Sequence, residues 1–131
     1  IPPLMLVVEE AHNFCPQVGQ VASSKIFRTL ASEGRKFGLG LVIITQRAAK
    51  VDKNVLSQCN TQIILKVTNP NDLKAITASV EGLTTAMADE IQRLPIGVAI
   101  CTGGGLQMPI IVEIRPRETK HGGESVKVIE D

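Results

Sequence analysis

Apolar residues fall in short bursts separated by polar stretches, and the spacing within the bursts alternates between strand-like and helix-like along the chain. Leu4-Met5-Leu6-Val7-Val8 is five apolar residues in a row, too short for a helix, and it stops on Glu9-Glu10. Such a run suits a strand buried on both faces of a parallel sheet. Asn13 to Val21 mixes Pro16, Gly19 and polar residues and predicts an ordered loop. From Ser23 or Ser24, either of which can cap a helix, Ile26, Phe27, Leu30, Ala31 and Phe37 recur at helical spacing as far as a Gly38 stop. Arg28, Glu33 and Lys36 then occupy the polar face.

Leu41-Val42-Ile43-Ile44-Thr45 predicts a second buried strand, ending on Gln46-Arg47. A short helical segment near Asn54 to Gln58 leads to a third strand over Thr61 to Lys66. Asn69 before Pro70 is a capping side chain ahead of a proline at the first helical position, so a helix runs to about Ser79, and another spans Thr85 to Arg93. Ile96 to Cys101 and Pro109 to Ile114 flank Thr102-Gly103-Gly104-Gly105, which predicts an antiparallel hairpin at a sheet edge. Beyond Arg115 the chain turns polar, with Pro116, Gly122 and Gly123, and predicts a weakly ordered tail or an arm laid on a neighbour. The alternation of strand and helix gives an α/β fold with a parallel sheet flanked by helices.

Composition narrows the function classes. The 131 residues, 44% of them apolar, suit one globular domain. A net charge of +1 gives no overall basic field, and an aromatic content of 2% leaves no platform for stacking bases. Cys15, Cys59 and Cys101 are odd in number and widely separated, which indicates neither a disulfide framework nor a zinc site but thiols in a reducing cytoplasm. No stretch approaches the roughly 18 apolar residues of a membrane span, and Ile1-Pro2-Pro3 lacks the charged start of a signal peptide. The expected protein is soluble, cytoplasmic and free of the membrane.

Chemistry concentrates at the end of the first strand. Ligands of open α/β sheets bind at the carboxyl ends of the strands, where Glu9 and Glu10 are delivered. One carboxylate there can hold magnesium through water while the next orients an attacking water; the plainer alternative is a pair of solvated surface acids. Hydrolysis of a nucleoside triphosphate also needs a phosphate loop, GxxxxGK followed by Ser or Thr, and no such string occurs. Thr102 to Gly105 lacks the lysine and runs into Leu106-Gln107-Met108-Pro109, so it reads as a turn. The chain is therefore expected to be the second half of a larger domain whose first half lies upstream, to use nucleotide presented by another chain, or to have lost the activity. His12 has no second ligand at helical spacing and reads as a hydrogen-bonding partner, not a metal ligand.

Three separated blocks, Leu4 to Phe14 (LMLVVEEAHNF), Glu33 to Gly38 (EGRKFG) and Leu41 to Arg47 (LVIITQR), in this order and spacing resemble the HerA family, of the HerA and FtsK class of hexameric DNA-pumping ATPases. The resemblance continues through Leu94-Pro95-Ile96-Gly97 and the terminal hairpin. It implies that residues 1–115 are the carboxyl-terminal half of a RecA-like P-loop NTPase core lacking Walker A, with 116–131 a polar tail or intersubunit arm. It further implies that Glu9 takes the Walker B metal position, where many relatives have Asp, and Glu10 the catalytic-base position. Gln46 would sense the γ-phosphate with Thr45 as companion. Arg35 would act as a finger on a neighbouring subunit's site, with Arg28 and Arg47 as lesser candidates and Lys36 a helix-end cation. The implied ligands are ATP and Mg2+; the implied partners are double-stranded DNA, a homohexamer and a NurA-type nuclease. This chain alone would be inactive. Two alternatives stand beside this: a non-catalytic module docking through hairpin and tail, and a DExH-type helicase fragment, similar through Glu-Glu-Ala-His but carrying Ser-Ala-Thr where this chain has Thr45-Gln46.

Overall fold

The computed structural model describes residues 2–123. Strands β1 (Leu4–Val8) and β2 (Leu39–Ile43) pair in parallel, with Leu4 opposite Leu39 and Val8 opposite Ile43. Helix α1 (Ser24–Glu33) connects them, the right-sized crossover for a parallel pair. Helix α2 (Lys53–Gln58) then leads to β3 (Gln62–Ile64). Helices α3 (Pro70–Ser79) and α4 (Thr85–Arg93) precede β4 (Val98–Thr102) and β5 (Ile110–Glu113).

The third strand departs from expectation. It joins not the parallel pair but an antiparallel sheet of order β3-β4-β5, in which Gln62 faces Thr102 and Cys101 faces Ile110. Two helices, not one, separate β3 from β4, so the chain makes an extra pass and re-enters reversed. The hairpin lies at a sheet edge as the glycine-rich link predicts, with β5 outermost. That link packs on Asn60 and Thr61, and Gly103 is at φ +73° with no room for a Cβ beside the Asn60 carbonyl.

Each sheet has its own core. Phe27 of α1 and Val55 and Leu56 of α2 pack with Ala11, Cys15 and Val51 against Val8, Leu41 and Ile43 of the parallel pair. Ile76 of α3, Val80 just after it, Ile91 of α4 and Leu94 pack with Ile64 and Ile100 of the antiparallel sheet. Full burial of Ile91 and Ile100 contributes roughly 2–3 kcal/mol each.

The predicted helix ends early. At Gly34 a Cβ would lie 3.2 Å from the Leu39 carbonyl, and this close approach tightens the chain into a 3-10 turn over Gly34–Phe37, closed by Gly38 at φ +73°. The turn starts β2 two residues earlier than expected, so Thr45 and Gln46 fall in the loop after the strand. Ile26 and Phe37, expected inside, are 60% and 71% exposed. Helix α1 buries only a narrow seam against α2 and β2, and Phe37 lies past its end. Burial of β1 is also not met: Leu4, Met5, Leu6 and Val7 are exposed, because β2 alone pairs with β1 among the described residues. Residues 116–123 of the expected tail form neither helix nor strand; 124–131 lie outside the described residues.

Candidate active site at the carboxyl edge of the parallel pair

Two loops meet where β1 and β2 end. Ile44 N donates to Val8 O (2.8 Å), and Ala11 N returns the contact to Ile44 O (3.1 Å), stitching the two loops together. Between these bonds the chain bends sharply at Glu10, whose backbone is left-handed (φ 51°, ψ 45°), the one such non-glycine residue described. For an L-residue that conformation costs about 1–2 kcal/mol and is retained where the surroundings hold it; such strain clusters at functional sites.

The bend puts Glu9 and Glu10, both exposed, on the same loop edge as Thr45 and Gln46. Side-chain contact binds the loops directly: His12 Nδ1 lies 3.1 Å from Thr45 Oγ1, and His12 Nε2 lies 3.5 Å from Glu10 Oε2. Thr45 Oγ1 also accepts from Arg47 N (3.0 Å). Four of the five predicted site residues therefore share one edge. Arg35 does not join them: it sits exposed in the turn before β2, by Gly38, whose carbonyl accepts from Leu4 N, and so at the amino edge of the same strands.

The lesser arginines serve the chain's own interior. Arg28 pairs with buried Asp52 (2.6 Å), and Arg47 pairs with buried Asp72 (3.1 Å). Asp52 also caps α2, accepting from Asn54 N and Val55 N, and Asp72 Oδ1 accepts from Ala49 N (2.9 Å). Sequence reading missed both aspartates. Their one signal was position, each at the start of a helix, while their arginine partners lie 24 and 25 residues away. Ser23 stands at the α1 cap position but its hydroxyl donates to Phe14 O (2.7 Å) instead.

Among the described residues no group of three or more His, Cys, Asp and Glu side chains gathers in metal-binding geometry. One exposed carboxylate at a strand end still fits magnesium, which keeps most of its water and takes one or two protein carboxylates. Two shallow, open depressions are lined by Lys25, Ile26, Thr29 and Leu30 and by Ile114 to Thr119; neither includes Glu9, Glu10, Thr45 or Gln46. The three cysteines are free, and burial raises the thiol pKa of Cys15, with Asp52 and Cys59 adding to it, and that of Cys59. No helix among the described residues is long and apolar enough to cross a membrane.

Comparison with known proteins fixes the family. Over 127 residues, 97% of this chain, it is 39% identical to the probable DNA double-strand break repair helicase HerA of Methanocaldococcus jannaschii. Over 136 residues, 98% of this chain, it is 35% identical to the DNA double-strand break repair helicase HerA of Pyrococcus furiosus. This chain belongs to the HerA family. It spans about a quarter of the length of either HerA relative (25% of each). The genome packaging NTPase B204 from Sulfolobus turreted icosahedral virus 2, solved in complex with ATP-gammaS, shares this chain's fold with a TM-score of 0.68 and 20% identity, the match covering 86% of this chain and 52% of that one. The α/β fold expected from the blocks is therefore the fold observed. No protein-family model matches the chain.

Proposed function

We propose that this chain is the carboxyl-terminal half of the ATPase domain of a DNA-translocating helicase that acts in the repair of DNA ends. The observation that carries the reading is the meeting of the Glu9-Glu10 and Thr45-Gln46 loops at the carboxyl edge of β1 and β2, with Glu10 held in a left-handed bend. Relatives named as double-strand break repair helicases, and a nucleotide-bound packaging NTPase of the same fold, support it.

In this reading each residue has one task. Glu9 holds magnesium through water, an outer contact that tolerates the longer Glu side chain in place of Asp. Magnesium, when bound, offsets charge on the phosphates. Glu10 accepts a hydrogen bond from the attacking water and orients it. The Gln46 amide both donates and accepts, as contact with a phosphate oxygen and that water requires, and Thr45 holds the loop beneath it. Arg35, at the opposite edge, has no role at its own chain's carboxylates and serves the neighbouring subunit's nucleotide across a hexamer interface. The remainder of the protein supplies the phosphate loop, double-stranded DNA is the track, and a NurA-type nuclease is the partner.

Subunit mixing tests this in the assembled full-length protein. Glu10→Gln rings and Arg35→Ala rings should each be inactive, and mixing the two should restore ATP hydrolysis by pairing an intact Glu10 with an intact neighbouring Arg35. Full activity of unmixed Arg35→Ala rings would remove the trans role, and full activity of Glu10→Gln rings would remove the site.

A further inference from the structure

We propose that His12 is a positioning residue that holds the Glu10 carboxylate to the Thr45-Gln46 loop, in a line of contacts running from the Arg47 backbone through the Thr45 hydroxyl and the His12 imidazole to Glu10. This rests on the reading of Glu10 as the water-orienting base. The distances are 3.0 Å from Arg47 N to Thr45 Oγ1, 3.1 Å from Thr45 Oγ1 to His12 Nδ1, and 3.5 Å from His12 Nε2 to Glu10 Oε2.

Thr45 and His12 are matched as donor and acceptor. Thr45 has a single hydroxyl proton, and accepting from Arg47 N leaves that proton free to donate. For His12 Nδ1 to take that proton it must be bare, which places the ring proton on Nε2, the nitrogen facing Glu10. The Thr45–His12 hydrogen bond and the 3.5 Å approach of Nε2 to the carboxylate together link the Thr45 loop to Glu10.

One end of the chain is rigid and the other is not. Arg47 is anchored by its guanidinium to Asp72, which is 2% exposed and also holds Ala49 N. The His12 side chain is 19% exposed and the Glu10 side chain 52%. A half-exposed carboxylate left alone samples several rotamers, and the His12 contact favours the one that lies beside the Thr45 loop. Because Gln46 lies between Thr45 and Arg47, the residue that contacts the phosphate and the residue that orients water share one support.

The test uses the full-length protein with Glu10→Gln, His12→Ala, His12→Gln and Thr45→Val, reading kcat and KM for ATP together with nucleotide-free crystal structures. Glu10→Gln should abolish turnover. His12→Ala and Thr45→Val should each lower kcat by roughly ten- to a hundredfold with little change in KM, as loss of an orienting partner does. The double variant should be no worse than either single one, since both break the same chain. His12→Gln, whose amide reaches Glu10, should recover most of the loss. In the nucleotide-free His12→Ala structure the Glu10 carboxylate should leave its observed position. An inactive Glu10→Gln beside Thr45→Val at parental kcat overturns the role of His12 alone, even if His12→Ala does not fold. Losses that multiply in the double variant, or a Glu10 carboxylate unmoved in His12→Ala, also overturn it. A fully active Glu10→Gln instead overturns the function on which it rests.

Discussion

Arg28 of α1 and Asp52 at the start of α2 close on each other across 24 residues: the guanidinium Nε donates to Oδ2 at 2.7 Å, and Nη2 lies 2.6 Å from the same oxygen. The other carboxylate oxygen takes Asn54 N and Val55 N, so the buried charge is satisfied on both sides and α1 is tied to α2.

Removing that carboxylate loses a helix cap and a paired buried charge together. Asp52→Ala should lower unfolding free energy by roughly 2–3 kcal/mol in urea titration. Arg35→Ala, at an exposed side chain without an ion pair among the described residues, should stay within about 0.5 kcal/mol. Equal effects would mean that Arg28 and Asp52 do not hold the two helices.

Glu10 carries a backbone conformation that glycine adopts freely. Glu10→Gly should therefore retain or raise the melting temperature, by up to about 1 kcal/mol in stability, while abolishing hydrolysis by the full-length protein. A clear loss of stability would show that the side chain, not a functional demand, holds the bend.

Gly103 and Gly105 both have positive φ (+73° and +88°), but only Gly103 has a backbone carbonyl, that of Asn60, where a Cβ would go. Gly105→Ala should cost about 1 kcal/mol for strain alone, and Gly103→Ala distinctly more because Asn60 must move. Melting curves of the two variants read the difference directly.

The buried thiols give a dependence on pH whose sign follows from linkage. Folding raises the pKa of Cys15 and Cys59 above the ordinary 9.0, so between that value and the folded one the unfolded chain has lost protons that the folded chain keeps. Stability is then intact below about pH 9 and falls as pH rises further. Cys15→Ala should flatten this alkaline slope; an unchanged slope would mean that Cys15 does not contribute to it.

What the sequence made legible is what depends on neighbours along the chain. Leu4 to Val8 ends as a strand where Glu9 begins, Asn69 accepts from Asn71 N and Asp72 N with Pro70 just inside the helix, and the glycines after Thr102 turn a hairpin. What it hid depends on partners far away. The ion pairs of Arg28 and Arg47 are tertiary, and the reversal of β3 follows from two helix passes that periodicity alone does not orient. The left-handed bend at Glu10 had no local signal, since glutamate is not a residue that favours it. At the site, the gathering of Glu9, Glu10, Thr45 and Gln46 followed from strand ends, whereas the His12 bridge between the two loops needed coordinates.

The most direct measurement is a crystal structure of the full-length assembly with magnesium and a non-hydrolysable ATP analogue. The terminal phosphate should lie at the carboxyl edge of β1 and β2, with Gln46 in hydrogen-bond reach of it, Glu10 holding a water in line, Glu9 on the magnesium shell, and Arg35 arriving from the neighbouring subunit. A triphosphate bound elsewhere, with Glu9 and Glu10 facing only solvent, would contradict the account.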